Sequence, residues 1–312
     1  MLLENNENPF VSVVIPNYNH ARFLDERIQS VLYQTYQNFE LIILDDKSTD
    51  NSVEVINKYK DNPHVSHIVV NEENSGSTFK QWKRGFELAK GDVVWIAESD
   101  DSCETNMLET LIKGYVEHNA VLAFCRSCKY DVDGTKSQYV LQTCLPWDII
   151  MPGKEFVSRY MVQCNAVANA SSAIFNRELA MHLDSQYTIM NGNGDWLFWI
   201  ELMEHGGVFF CNQTLNFFRH HGSNTTRQVG NKGLSAIEHK VIFDYLTDNG
   251  YVPRNEVSKM RLKTLDFYLN SEYDSLKTRR KVLTSWDRYR LGRLRLFLSS
   301  IKRDVLLFVK NV

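Results

Sequence analysis

Apolar residues come in two alternating rhythms along the first 120 positions. Val11-Ser12-Val13-Val14-Ile15-Pro16 is a β-branched run stopped by proline, which predicts a buried strand. The period then changes: within 21–35, Leu24, Ile28, Val31 and Leu32 fall on one helical face. The pair repeats. Residues 39–46 form a second apolar run ending in acid, and 47–60 read as a helix for which Ser48, Thr49 and Asp50 are all candidate N-caps. Residues 65–71 predict a third strand. The next helix, 77–91, carries Phe79, Trp82, Phe86 and Ala89 at helical spacing, with Gly91 at its end. A fourth strand, 92–97, precedes a helix over 106–118 with Met107, Leu108, Leu111, Ile112, Tyr115 and Val116 on its apolar face.

Strands alternating with helices predict an α/β fold, a mostly parallel sheet covered by helices on both faces. Chain reversal after each strand gathers the strand C-termini on one edge, where such sheets bind ligands. That edge receives Tyr18-Asn19, Asp45-Asp46 and Glu98-Ser99-Asp100-Asp101. Beyond residue 120 the pattern loosens. Residues 121–140 read as a hairpin turning at Asp133-Gly134, and 150–185 mix helix with small polar residues. Residues 192–206 are a loop running into a helix with Asp195 at its N-terminal end, and a strand from 207 leads into a basic, histidine-bearing loop. Residues 234–310 are helical in character. The expected organisation is one domain over 1–230, with halves of about 10–120 and 120–230, and a C-terminal helical region over 231–312.

Composition narrows the class without naming a reaction. With 312 residues, 43% hydrophobic and 23% charged, the chain is globular. A net charge of −3 advertises no nucleic acid. No run reaches a membrane-spanning length, and the acidic, polar N-terminus is wrong for a secretory signal. A cytoplasmic chain is expected, or one peripheral on the cytosolic face of a membrane. Of the six cysteines only Cys125 and Cys128 form a C-x-x-C. Without a second pair, buried or free thiols are expected rather than zinc or redox chemistry.

The chemistry lies at the strand ends. The turn after the first strand, Pro16-Asn17-Tyr18-Asn19-His20, has no glycine, so neither a dinucleotide fingerprint nor a phosphate-cradling loop is present. Carboxylates can instead hold a divalent cation that bridges phosphates to protein. Asp100 and Asp101, straight after an apolar strand, suit Mg²⁺ or Mn²⁺ as hard oxygen ligands. A solvated acidic turn is the plain alternative.

Residues 11–52, together with 74–101, resemble the family 2 glycosyltransferases. The resemblance is strong over 11–115, traceable to about 228, and absent from 234–312. It implies a GT-A fold and an inverting, metal-dependent transfer from a nucleotide-sugar donor, with Mn²⁺ or Mg²⁺ as cofactor. Pro16, Tyr18 and Asn19 match the first-strand motif, whose aromatic ring stacks on the base. Asp46 matches the carboxylate that accepts from a uracil-type N3–H, while Asp45 is the more natural cap of the following helix. Asp100 and Asp101 match the D-x-D region, sharing ribose and metal roles, with Asp101 the first choice for metal. Glu98 stands where many relatives have Asp, which implies contact with ribose or a water. Lys47 replaces a usual glycine, and Lys80 or Lys83 stands near a diphosphate-contacting position. Asp195, after Gly194 in place of the usual first acid, matches the catalytic base; capping of its helix is a compatible second role. Arg219 and His221 match a basic loop that closes over the diphosphate and completes the metal shell, with adjacent His220 the competing imidazole.

The expected acceptor is a glycan or a lipid-linked sugar, in cell-surface polysaccharide synthesis. Residues 288–310 combine seven cations with an apolar stripe, which reads either as a membrane-surface helix or as a helix packed on protein. Rival readings are a nucleotidyltransferase of similar fold, which usually opens with a glycine-rich basic loop lacking here, and a non-catalytic nucleotide-binding protein. The sequence leaves the oligomeric state open.

Overall fold

The computed structural model describes residues 7–132, 135–140, 145, 147–221, 230 and 232–286. The chain divides into two compact units, one of residues 1–190 with 194–222 and one of 191–193 with 223–312.

The first unit opens as the alternation predicts. Strands β1 (Val11–Asn17), β2 (Phe39–Asp45), β3 (Val65–Val70) and β4 (Val93–Ile96) are separated by helices α1 (Ala21–Leu32), α2 (Ser52–Asn57) and α3 (Thr78–Leu88). They pair in parallel in the order β3-β2-β1-β4. Every residue of β1 and β2 is buried, which is why their sequences are near-continuous rather than alternating. Val11, Val13 and Ile15 pack beneath Leu24, Ile28 and Val31 of α1 and Ile56 of α2. Val14 points to the opposite face, where α3 lies so close that a Cβ on Gly85 would meet the Val14 side chain at 2.5 Å. Phe86 and Trp82 of α3 continue that face into an aromatic cluster with Phe175, Phe198 and Trp199.

The second half adds β5 (Ser102–Cys103), α4 (Met107–Glu117), β6 (Ala120–Asp131), β7 (Lys136–Val140), β8 (Ile149–Pro152), α5 (Gly153–Phe156), β9 (Ala173–Asn176), α6 (Arg177–His182), α7 (Gly194–Met203) and β10 (Gly207–His220). The sheet runs β3-β2-β1-β4-β9-β6-β10-β5, with β7 on β6 and β8 on β10. It is mixed rather than mostly parallel. Four-residue β9 runs antiparallel between β4 and β6, and β10 pairs parallel with β6 but antiparallel with β5 and β8. The expected hairpin forms from β6 and β7; its turn at 133–134 lies outside the described residues. Cys125 and Cys128 are buried on β6, with Cys125 opposite Cys211 of β10. Both are strand residues, and burial pushes the Cys125 thiol well up.

Helix α7 is apolar nearly all round because it is buried nearly all round. It buries the carboxyl of Glu201, 6% exposed, whose Oε2 finds no hydrogen-bond partner among the described residues. Burial, with Asp184 and Glu204 nearby, pushes this carboxyl up to about 8. The folded pKa is above the unfolded one, so the folded chain holds the extra proton between about pH 4.5 and pH 8. Stability therefore falls as pH rises through that window. Glu201→Gln is expected to raise the Tm at pH 8 by roughly 5 °C, on the order of 2–3 kcal/mol, and to leave it nearly unchanged at pH 5. Thermal melts at the two pH values check this.

Among its described residues the second unit holds three helices: α8 (Leu234–Asp248), α9 (Val257–Leu269) and α10 (Leu276–Trp286). Its core is Ala236, Phe243, Leu265, Tyr268, Val282 and Trp286, with the Trp286 indole N–H donating to Ala236 O at 2.8 Å. The Glu238 carboxylate accepts the backbone N–H groups of Asn191, Gly192 and Asn193 at 2.6, 3.0 and 2.8 Å. None of the described helices is long and apolar enough to cross a membrane. The basic stretch 288–310 lies outside the described residues.

Candidate functional site

The ends of β1 and β2 are tied together before any ligand is considered. Asn17 Nδ2 donates to Asp45 Oδ2 at 2.7 Å, and Asp45 accepts both the backbone N–H and the hydroxyl of Ser48. Asp45 thus closes its own turn. Asn19, in the left-handed region at φ 58°, accepts the Thr49 N–H, while Ser48 Oγ accepts the Asn19 N–H. Lys47 is left-handed too, at φ 61°. The residue departs from the glycine common at this place, and the backbone keeps the conformation glycine would adopt. Pro16 is buried within β1, and Tyr18 stands 46% exposed on the rim.

Asp46 is 4% exposed and held from outside its own strand. Its Oδ1 accepts from Asn71 Nδ2 at 2.7 Å, Ser75 N at 2.8 Å and Gln81 Nε2 at 2.9 Å, and its Oδ2 accepts from Ser75 Oγ at 2.8 Å. Asn71, Ser75 and Gln81 are absent from the sequence prediction; the signal for Ser75 and Gln81 was their flanking of the α3 N-terminus. Lys80 is exposed next to Gln81, its ammonium on Ser75 O at 3.1 Å. Lys83 is exposed on α3 as well.

The acid run after β4 divides three ways. Glu98 accepts from the Trp82 indole at 2.9 Å, and its own N–H donates to Ser171 Oγ at 3.0 Å. Burial and the charge of Asp100 push its carboxyl up to about 8. Asp101 is 1% exposed and turned into the protein. It accepts from Asn169 Nδ2 at 2.9 Å, Ser171 Oγ at 2.6 Å and the Arg219 N–H at 3.0 Å. Burial and Asp100 push its carboxyl up to about 6. Asp100 faces the other way: its Oδ2 lies 2.9 Å from His221 Nε2. Burial pushes the Asp100 carboxyl up, yet the His221 bond and the imidazoles of His20 and His221 more than offset it and hold the group below the usual range.

His20 completes the cluster. Its Nδ1 lies 2.8 Å from Ser99 Oγ, and its ring meets that of His221 edge to face at 5.4 Å. One ligand atom each from His20, Asp100 and His221 lie within 4.8 Å of one another. Burial holds His20 below the ordinary imidazole range, so its ring is neutral at pH 7. Two imidazoles and an ionised carboxylate form a donor set that a divalent cation could occupy. His220 is exposed, whereas His221 is buried against Asp100.

Arg219 does not present its guanidinium to the rim. The side chain is 1% exposed and sandwiched between Phe23 and Tyr130, with its centre 4.7 and 4.3 Å from those rings. It donates to Asp100 O at 2.8 Å, Asp131 O at 3.1 Å and Glu26 Oε2 at 2.6 Å. It clips the end of β10 to the acid run rather than reaching out for a phosphate.

Asp195 lies in the first turn of α7, its Oδ2 accepting from Asn165 Nδ2 at 2.8 Å. The preceding Gly194 has a steric reason: a Cβ there would meet Tyr187 O at 2.6 Å and the Phe79 ring at 2.7 Å. A second acid before Asp195 has no room.

Residues 12–182, over half of the chain, match the family described as Glycosyl transferase family 2. The chain belongs to that family. Its architecture is the GT-A-like Rossmann fold with C-terminal helices added. Glycosyltransferase GlyG of Streptococcus pneumoniae is 37% identical over 131 residues, which cover 42% of this chain and 43% of GlyG. The match thus spans less than half of that relative's length. Among solved structures, Staphylococcus aureus TarS 1–349 in complex with UDP-GlcNAc superposes with a TM-score of 0.57 at 16% identity, covering 89% of this chain and 71% of that one. The mannosyltransferase PcManGT of Pyrobaculum calidifontis, in complex with GDP-Man and Mn²⁺, gives 0.53 at 14% identity, covering 95% and 86%.

Proposed function

We propose that this chain is an inverting glycosyltransferase that moves a sugar from a nucleotide-diphosphate donor, UDP-linked, to a hydroxyl of a glycan or lipid-linked acceptor. The observation that carries the reading is the cluster of His20, Asp100 and His221 at the ligand edge of the sheet, in a chain of this family. His20, Asp100 and His221 would hold a divalent cation, Mn²⁺ or Mg²⁺; when bound, it supplies positive charge beside the departing diphosphate. That assignment moves the metal role from Asp101 to Asp100 and leaves Asp101 as the carboxylate that fixes the turn. TarS and PcManGT were solved with nucleotide-diphosphate sugars, the latter with Mn²⁺, which agrees with the donor class.

Exposed Tyr18 stacks on the base, Asp46 accepts from its N–H, and Lys80 stands by for the diphosphate. Glu98, fixed by Trp82, faces the ribose. Asp195 takes the proton from the acceptor hydroxyl as its oxygen bonds the anomeric carbon. The bond from that carbon to the diphosphate oxygen breaks, and the diphosphate leaves with the electron pair. A single displacement of this kind inverts the anomeric centre. The reading extends to a cytoplasmic enzyme of cell-surface polysaccharide synthesis, peripheral at the membrane through 288–310; only the sequence carries that part. Incubation with a panel of UDP-sugars, Mn²⁺ and candidate acceptors is expected to release UDP in an acceptor-dependent manner that chelator abolishes. Release that needs neither acceptor nor cation would refute it.

A further inference from the structure

The segment between α5 and β9 carries no strong signal in sequence: Asn165-Ala166-Val167-Ala168-Asn169-Ala170-Ser171 is made of small residues, polar only at 165, 169 and 171. Its side chains nevertheless reach both halves of the site. At one end Asn165 donates to Asp195 Oδ2 at 2.8 Å. At the other, Asn169 and Ser171 donate to Asp101 Oδ2 at 2.9 and 2.6 Å, and Ser171 Oγ accepts the Glu98 N–H. Asn169 is itself fixed, since its Oδ1 accepts from Asn216 Nδ2 at 3.0 Å and its carbonyl accepts from Ser172 Oγ at 2.7 Å. The first turn of α7 is tied to the neighbouring backbone as well, through the Trp196 indole N–H on Met161 O at 3.0 Å.

The Asn165 amide has no freedom in how it faces Asp195. Its Oδ1 accepts the Val167 N–H at 3.1 Å, the local turn that asparagine and aspartate both form. With the oxygen so engaged, the NH₂ end must meet the carboxylate. Turning the amide over would set oxygen against oxygen and N–H against N–H. The two ends therefore do separable things: Oδ1 shapes the turn, and Nδ2 holds Asp195.

We propose that Asn165 is a positioning residue for the base: its Nδ2 holds the Asp195 carboxylate in place, on the same seven-residue stretch that fixes the acid run at Asp101. The inference rests on the reading of Asp195 as base given above. Its consequence is that the base cannot drift relative to the edge where the donor binds. A misplacement of about 1 Å in a reacting group costs roughly 10² in rate.

The discriminating variant is Asn165→Asp. Aspartate is isosteric and still accepts the Val167 N–H, so the turn survives, but it sets a second carboxylate against Asp195 and removes the donor. The expected result is a kcat about 10² lower, with the Tm within about 2 °C of wild type and the Mn²⁺-dependent affinity for UDP within about twofold. A kcat within about threefold of wild type would overturn the inference, and so would a loss accompanied in proportion by lower Tm or weaker UDP binding, since that marks a structural role only. Asn165→Ala, which loses both functions, should show the same kcat loss plus a lower Tm. Asp195→Asn measured alongside separates the two levels. If it is slow while Asn165→Asp is fast, the positioning role fails alone; if both are fast, the base assignment beneath it fails.

Discussion

Asp195→Asn is expected to lower kcat by about 10²–10⁴ and to leave Mn²⁺-dependent UDP binding unchanged, because only the proposed acceptor of the hydroxyl proton is lost. The substitution is isosteric and the position is at the head of α7, where Asp195 also lies in the first helical turn. Asparagine retains an oxygen there, so the contact with Asn165 Nδ2 persists. A role confined to capping therefore predicts little change in kcat and a small change in Tm. A proton-accepting role predicts the reverse. Kinetics and melts on one preparation distinguish them, and an Asp195→Asn enzyme with undiminished transfer refutes the base assignment.

Asp100→Ala is expected to abolish cation dependence altogether. Asp100 is the carboxylate of the His20–Asp100–His221 cluster and the partner of His221 at 2.9 Å. In the wild-type chain, Mn²⁺ with UDP at about one hundred times the dissociation constant is expected to add about 2.7 kcal/mol of stability. For a unit of this size that is roughly 5–10 °C in Tm. In Asp100→Ala that shift should vanish and transfer should fall by at least about 10³. A cation-dependent shift that survives intact in Asp100→Ala would place the ion elsewhere.

Much of the first half was legible because parallel strands buried on both faces and amphipathic helices leave opposite periodicities. β1, β2 and β4 were readable as runs such as Val11–Ile15, and their polar ends marked the ligand edge. β9 was not, because four residues carry no period and their direction is set by which neighbours they join. The acid run shows a second limit. Asp100 and Asp101 are adjacent and chemically identical, and what separates them is the direction each side chain takes. Asp101 is drawn inward by Asn169, Ser171 and Arg219, residues 68 to 118 positions away. No local pattern contains that choice. The setting of Arg219 is hidden for a related reason: the sequence shows a cation near a histidine, not the rings of Phe23 and Tyr130 that enclose it. His20 had a usable signal, since it ends the same strand–helix turn as Tyr18 and Asn19. Choosing His221 over His220 needed the site itself, where one ring is buried against Asp100 and the other is exposed.

The central claim is single-displacement transfer from a nucleotide-sugar, and the configuration of the product tests it most directly. Proton NMR of the glycoside formed from a UDP-α-sugar with Mn²⁺ reads the anomeric coupling without reference to any variant. A β-linked product is expected. An α-linked product would contradict it, because Asp195 acting as base on the acceptor cannot retain configuration in one step.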